Sequence, residues 1–404
     1  MRLLALCLVF SLSRALSGQI TQENVSFNHG GCTFQATFSK PSTSGKFTTI
    51  VLVPGSGQND RNGQIVLQGG NSQCLYPGLV GDTLRIYQDL AQQLSDSGFA
   101  VLRYDEITLS CPNFSGAFNY ENVFLPALNA LDYLKNRPDV DSNRLILAGH
   151  SEGAMLIAAM AKQRNDVQAL ISIAGARTPF DSLLAQQLVS IARQCNGDTA
   201  MGQLQASQVL QYFNLIRGGN YNASTPPFGG VAAAEWHRYI NANDSVALNY
   251  QLFTKPVLFL GMGDDFNVPP RELQRFQQEL GSGADFYSLP GLNHYLTPAN
   301  NPRVSRSVGD TIVHWLRSKK ISLLELPPNT FEVYPNPFQK GLELDYPQSL
   351  KKKHLALVNL QGEKVWEEGS ATTGRYHLPA LPSGLYLLKV QTNQGLITRK
   401  LMRG

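Results

Sequence analysis

Residues 145–160, LILAGHSEGAMLIAAM, are apolar enough to be buried on both sides, yet the run breaks in the middle at Gly149-His150-Ser151-Glu152-Gly153. Before the break it reads as a core strand of a parallel sheet, and after it as a helix of small residues packed closely on its neighbours. A strand that becomes a helix within two residues must bend sharply at the serine. A side chain at either flanking glycine would strike the neighbouring strand or helix, so both positions need glycine and only the serine hydroxyl is left projecting. Glycine fills 35 of the 404 positions. A chance G-x-S-x-G is therefore expected roughly 0.2 times in a chain of this kind, and the strand-turn-helix setting is what gives the pentapeptide weight.

A serine hydroxyl is a poor nucleophile until a base takes its proton, so this element demands a histidine and an acid elsewhere. The segment KPVLFLGMGDDFNVPP is a buried strand followed by a loop with Asp264 and Asp265, and ADFYSLPGLNHYLTP is a short strand whose loop carries His294. Both loops follow the carboxyl end of a strand, where open α/β sheets build their sites. His237 precedes the acid in a helical stretch, His314 lies within the amphipathic run SVGDTIVHWLRS, and His354 and His377 fall in the tail. His294 alone has both the order and the setting. Strands are expected near 24–28, 32–39, 47–53, 99–104, 144–149, 169–174, 256–261 and 285–289. After the first hairpin they alternate with helices near 84–97, 122–136, 152–164, 270–280 and 305–318, which is the pattern of a mostly parallel sheet covered on both faces.

Together VLVPGSGQNDRNG, LRYDE, LAGHSEG, LFLGMGDDFNVP and GLNHYLTP resemble the α/β-hydrolase superfamily, and within it an esterase-like branch that combines a G-S-G-x-x-D-R loop, a G-H-S-x-G elbow and an L-N-H loop. The resemblance covers residues 19 to about 320. It implies a Ser151, Asp265, His294 triad, with the acid at Asp265 rather than Asp264. It also implies an oxyanion hole made by the backbone N–H groups of Ser56 and Glu152, the latter at a helix N-terminus that favours negative charge. Asp60, Arg61 and Asp105 are expected to hold loops in shape, and the Glu152 side chain is given no part. Residues 177 to about 252 form an insertion with three helical stretches, expected to lie over the serine as a cap. Its aromatics Phe213, Phe228, Trp236 and Tyr239 are read first as packing and second as pocket lining.

The ends of the chain differ from its middle. MRLLALCLVFSLSRALSGQ has an early arginine, a short apolar stretch and small residues near Ser17, so residues 1–18 read as a cleaved secretory signal. No other segment is long and apolar enough for a transmembrane helix. Beyond the proline-rich run LLELPPNTFEVYPNPFQKG come short β-patterned stretches punctuated by Gly and Pro. YPNP, LVNLQGEKV, LPSGLYLLKVQTNQG and the terminal ITRKLMRG resemble the C-terminal sorting domain of type IX secretion, a small β-sandwich in gram-negative bacteria. The expected division is therefore a signal at 1–18, a hydrolase domain at 19–325 and a sorting domain at 326–404. The sorting machinery would be the partner, and the protein would pass through the periplasm to the surface or medium.

Residues 327–404 carry ten Lys plus Arg and six Asp plus Glu, so the tail holds the whole net charge of +4. With the two signal arginines removed, the hydrolase part is near neutral and offers nothing to nucleic acid. Four cysteines remain after the signal: Cys32, Cys74, Cys111 and Cys195. In an exported chain they allow three pairings, of which Cys74–Cys111 is expected because it would tie two long loops beside the site. None has metal-ligand spacing with a histidine, so no metal and no cofactor is expected. The function these readings converge on is an exported serine hydrolase that cleaves small or medium carboxylic esters through an acyl-enzyme. A serine peptidase of the same fold is the alternative, although no propeller-like repeat or amine-anchoring acidic pair is evident. A non-catalytic surface protein is the reading from another class.

Overall fold

The computed structural model describes residues 20–111, 120–321, 332–334, 337–345, 352–359, 363–369, 375–392 and 395–404. The expected signal at 1–18 and most of the proline-rich linker lie outside these. The chain separates into two compact units, Met1–Ser322 and Leu323–Gly404.

The first unit is built on an eight-stranded sheet: β1 (Ile20–His29), β2 (Cys32–Pro41), β3 (Phe47–Val53), β4 (Ala100–Tyr104), β5 (Val140–His150), β6 (Val167–Ile173), β7 (Val257–Met262) and β8 (Asp285–Leu289). Their order across the sheet is β1-β2-β4-β3-β5-β6-β7-β8. β1 and β2 form an antiparallel hairpin that joins β4 antiparallel, and every pairing beyond is parallel. β3 is buried at all seven positions, as a strand covered on both faces must be. Its side chains alternate between two cores. Ile50 and Leu52 face a layer with α1 (Ile86–Asp96) and α9 (Arg306–Ser318), while Val51 and Val53 face α2 (Tyr120–Lys135) and α3 (Glu152–Ala161).

Between β6 and β7 the chain leaves the sheet as α4 (Phe180–Ile191), α5 (Thr199–Arg217), α6 (Ala233–Asp244) and α7 (Val246–Gln251), and α8 (Arg271–Leu280) follows β7. Buried Glu272 of α8 ties down the entrance of this insertion, accepting from the Thr178 N–H and Oγ1, both at 2.6 Å, and from the Arg177 N–H at 2.9 Å. Arg217 joins three of the helices by pairing with Asp181 at 3.0 Å and Asp244 at 3.1 Å. Among the described residues no helix is long and apolar enough to cross a membrane.

The second unit has two antiparallel sheets. β9 (Glu332–Tyr334), β10 (Gly341–Asp345) and β13 (Arg375–His377) make one, and β12 (Lys364–Gly369), β11 (Lys352–Val358), β14 (Gly384–Thr392) and β15 (Gly395–Arg403) the other. They share a core of residues such as Phe338, Leu344, Leu357, Tyr376, Leu388 and Leu401. The three-residue strands β9 and β13 are too short for their alternation to be visible in the sequence.

The cysteines do not pair as expected. Cys111 is bonded to Cys32 and Cys74 to Cys195, with Cα separations of 5.6 and 5.4 Å. The reason lies in the sheet. Because β4 runs antiparallel to β2, with Ala36 opposite Tyr104, the chain leaving Tyr104 travels back along the start of β2 toward Cys32. The Asp105 N–H still donates to the Gln35 carbonyl at 2.9 Å. Cys74 is thereby left for Cys195 in the turn Ala192–Asn196 after α4, and this bridge fastens the cap to the body. The bridges span 79 and 121 residues of sequence. Cys32→Ser and Cys195→Ser should each lower unfolding stability by about 2–5 kcal/mol, read from denaturant midpoints at constant m. A loss in Cys195→Ser no larger than that caused by an exposed Ser→Ala control would show that the cap is not held by this bridge.

Candidate active site

Register fixes the first component. β3 and β5 run parallel with Val53 beside Gly149, so the turn after β3 arrives next to His150 and Ser151. Ser151 takes φ 55° and ψ −116°, a conformation that L-residues rarely adopt. A Cβ on Gly149 would lie 2.2 Å from the Gly153 carbonyl oxygen, and one on Gly153 would lie 2.3 Å from that of Val53. The bend is held from outside by the Ser151 N–H, which donates to the Ile173 carbonyl of β6 at 2.9 Å.

Asp265 lies three residues past β7 and His294 five past β8. The two loops are stitched together, since the Gly263 and Asp264 N–H groups donate to the carbonyls of Leu289 and Leu292 at 2.8 and 2.9 Å. Asp264 is exposed and Asp265 buried. Asp265 Oδ1 accepts the Val268 N–H at 2.7 Å, and Oδ2 stands 2.8 Å from His294 Nδ1. His294 Nε2 is 3.1 Å from Ser151 Oγ. A single hydrogen-bonded chain therefore runs from Asp265 through His294 to Ser151. Asn293 shapes the loop that carries His294, its Oδ1 accepting from the Tyr295 N–H at 2.9 Å and Thr297 Oγ1 at 3.1 Å.

The loop after β3 is held from two sides. Asn59 Nδ2 donates to the Gly55 carbonyl at 3.0 Å and to Glu106 Oε1 at 3.1 Å. Asp60 and Asp105 accept the Gln64 and Arg61 N–H groups, each at 2.7 Å. Ser56 lines a cavity of about 240 Å³ together with Ser151, Glu152, Tyr239 and His294. The Glu152 amide is at the first position of α3, among the N–H groups that a helix leaves without an internal acceptor.

The Glu152 side chain does more than sequence reading allowed. Glu152 borders both the 240 Å³ cavity and a second one of about 380 Å³, lined by Glu106, Phe34, Tyr104, Ile107 and Trp236. The Tyr239 hydroxyl of the cap donates to it, and burial raises its pKa. Burial also pushes Glu106 up to about 8, with Asn59 opposing and the nearby Glu152 reinforcing the shift. Of the four cap aromatics singled out, Trp236 and Tyr239 line cavities, while Phe213 is fully buried among cap and core side chains and Phe228 packs against them. His150 and Tyr87 are the other functional candidates that sequence reading left without a role. The G-H-S motif marks His150, but nothing local marks Tyr87.

The family model described as Serine aminopeptidase, S33, matches residues 74–299, more than half of the chain. The chain belongs to this family of α/β-hydrolases. The large, mostly parallel sheet is the frame of that family. Residues 332–403 match the secretion system C-terminal sorting domain, which marks a secreted or cell-surface protein and implies a signal peptide. Among curated relatives, Esterase EstD of Thermotoga maritima is 28% identical over 290 residues, covering 68% of this chain. The chain in turn spans 63% of that relative's length. Similar solved structures include Est1E from Butyrivibrio proteoclasticus, with 16% identity, a TM-score of 0.45, and coverage of 74% of this chain and 98% of that one. Another is the Pyrococcus horikoshii acylaminoacyl peptidase, with 14% identity, a TM-score of 0.46, and coverage of 74% and 42%.

Glu106 sets a pH dependence of folding. Its carboxyl keeps a proton to about pH 8 when folded and loses it near the ordinary glutamate value of 4.5 when unfolded. Between those values the folded state binds more protons, so the contribution of this group is complete below pH 4.5 and is lost as pH rises through 8. Glu106→Gln should flatten that fall. Unfolding midpoints between pH 4.5 and 8.5 that decline equally in both proteins would contradict the assignment.

Proposed function

We propose that the protein is an exported serine hydrolase that cleaves carboxylic esters by way of an acyl-enzyme. The observation that carries this reading is the chain from Asp265 through His294 to Ser151, ending on a strained serine at a 240 Å³ cavity. In the reaction, Ser151 Oγ attacks the ester carbonyl carbon while His294 Nε2 takes the hydroxyl proton. The Asp265 carboxyl on Nδ1 fixes the tautomer and stabilises the imidazolium. The carbonyl oxygen becomes an oxyanion that accepts from the N–H groups of Ser56 and Glu152. Collapse breaks the bond to the alcohol oxygen, which receives the proton from His294 and departs. Water then repeats the sequence on the acyl-enzyme, and the carboxylic acid is released.

The esterase relative supports an ester substrate, and the family model, described as an aminopeptidase, keeps the peptidase reading in play. Electrostatics favours the ester. An amine anchor needs ionised carboxylates, whereas Glu106 and Glu152, the acidic pair that sequence reading did not find, are both pushed toward the protonated form. Cavities of about 240 and 380 Å³ suit small to medium substrates with one uncharged apolar group. Short p-nitrophenyl esters should be hydrolysed far faster than aminoacyl or dipeptidyl amides. The reverse order would establish the peptidase.

Ser151→Ala, His294→Ala and Asp265→Asn should each reduce kcat by about 10⁴-fold or more with unchanged thermal unfolding. Ser151→Ala combined with His294→Ala should be little worse than Ser151→Ala. Additive losses would refute a concerted triad. Removal of residues 330–404 should leave ester turnover in vitro within about twofold, because the hydrolase part and the tail are two compact units, each with its own core. In cells the truncated chain should accumulate in the periplasm. Undiminished export would remove the sorting role, and lost turnover would make the tail part of the site.

A further inference from the structure

The polar groups around the site include one buried pair that acyl transfer as written does not use. Tyr87, near the start of α1, and His150, the last residue of β5, are 4% and 6% exposed. The Gly55 N–H donates to the Tyr87 hydroxyl at 2.9 Å, the hydroxyl meets His150 Nδ1 at 3.3 Å, and His150 Nε2 meets the His294 carbonyl oxygen at 2.9 Å. A carbonyl oxygen only accepts, so Nε2 must carry a proton. The ring is neutral, because burial, with His294 adding to it, drives the imidazole down to about 3 against the opposing pull of the His294 carbonyl. Nδ1 is then an acceptor, and the Tyr87 O–H donates to it. The hydrogen bonds from Gly55 through Tyr87 and His150 to the His294 carbonyl therefore all donate in the same direction.

The pair is also sterically fixed. A Cβ on Gly63 would lie 2.6 Å from the Tyr87 ring, so this ring packs directly on the loop backbone. The His150 ring lies 4.9 Å from the His294 ring and 5.9 Å from that of Tyr87, centre to centre. The groups facing His150 are His294 and Tyr87, and Glu106, Glu152 and Asp60 act on Tyr87 in turn.

We propose that Tyr87 and His150 are a positioning relay for acyl transfer, a buried hydrogen-bonded strut that sets the oxyanion loop at Gly55 and the backbone of His294 at a fixed distance on either side of Ser151. The proposal rests on the reading of Ser151 and His294 as the reacting pair. Neither relay residue touches substrate or exchanges a proton with it. Their work is done through the backbone at two points, one next to Ser56, whose N–H faces the oxyanion, and the other on the loop residue that shuttles the proton. A shift of about 1 Å at either point costs on the order of 100-fold in rate without weakening substrate binding to match.

The test compares the full chain with His150→Gln, His150→Leu and Tyr87→Phe on a short p-nitrophenyl ester, with kcat and KM separated, thermal unfolding measured alongside, and Ser151 labelled by a fluorophosphonate. Glutamine places an amide N–H where Nε2 was and keeps an acceptor for Tyr87, so it should retain kcat within about threefold. His150→Leu should lose about 10- to 100-fold and Tyr87→Phe about 10-fold in kcat, with KM within about threefold. Wild-type kcat in the leucine and phenylalanine variants, equal losses in the glutamine and leucine variants, or a loss confined to KM or to the melting temperature would each overturn the relay. Should H150L fail to fold, Tyr87→Phe decides alone. Absent labelling of Ser151 in the wild-type chain would overturn the acyl-transfer reading and the relay with it, whereas labelling beside unaffected variants would overturn the relay only.

Discussion

The first turn of α3 passes so close to the end of β3 that a single methyl group at Gly153 would lie 2.3 Å from the Val53 carbonyl oxygen. Everything at the candidate site depends on that approach. It brings the amide of Glu152, the hydroxyl of Ser151 and the turn containing Ser56 to one cavity. The strained backbone of Ser151 costs on the order of 1–3 kcal/mol. The surrounding structure outweighs it, because α3 buries Met155, Leu156, Ile157, Ala158 and Met160 between sheet and cap. A helix with so many buried residues has one seating, and the bend at its start follows from that seating rather than from any preference of the serine.

Around this bend the buried and half-buried polar groups are arranged so that few of them need charge. His150 is held neutral, and Glu106 and Glu152 are pushed toward protonation. Leaving unpaired charges in such a place would cost several kcal/mol each. Neutral partners supply directional hydrogen bonds without that cost and leave the field at Ser151 to Asp265 and to helix α3. Glu152 shows both uses of one residue, its amide at the start of the helix and its side chain accepting from Tyr239.

How much of this was legible in the sequence depended on the range of the interaction. The strands of the main sheet announce themselves through apolar runs, and the site loops follow from their carboxyl ends, since both patterns are local. Asp265 was separated from Asp264 only by resemblance, and the structure gives the physical reason: one faces the interior between β7 and β8 while the other faces water. The disulfides were misread because proximity of two loops at one sheet edge does not define pairing. The antiparallel junction of β2 and β4, which directs Cys111 to Cys32, is a property of strand order and has no local signature. Tyr87 was invisible for the same reason, since it meets His150 across 63 residues of chain.

The two bridges also explain how a strained centre persists in a chain that works outside the cell. Cys32–Cys111 closes the edge where β4 leaves the sheet beside Glu106, and Cys74–Cys195 fastens the turn Ala192–Asn196 after α4 to the loop after β3. Neither is close to Ser151 in sequence. Both limit how far the segments they join separate when the chain breathes. A site whose geometry is set by hydrogen bonds of 2.8–3.1 Å between separate segments of the chain has little tolerance for such motion. These covalent ties therefore complement the glycine-dependent packing at the centre: the packing sets the geometry, and the bridges hold together segments that are far apart in sequence.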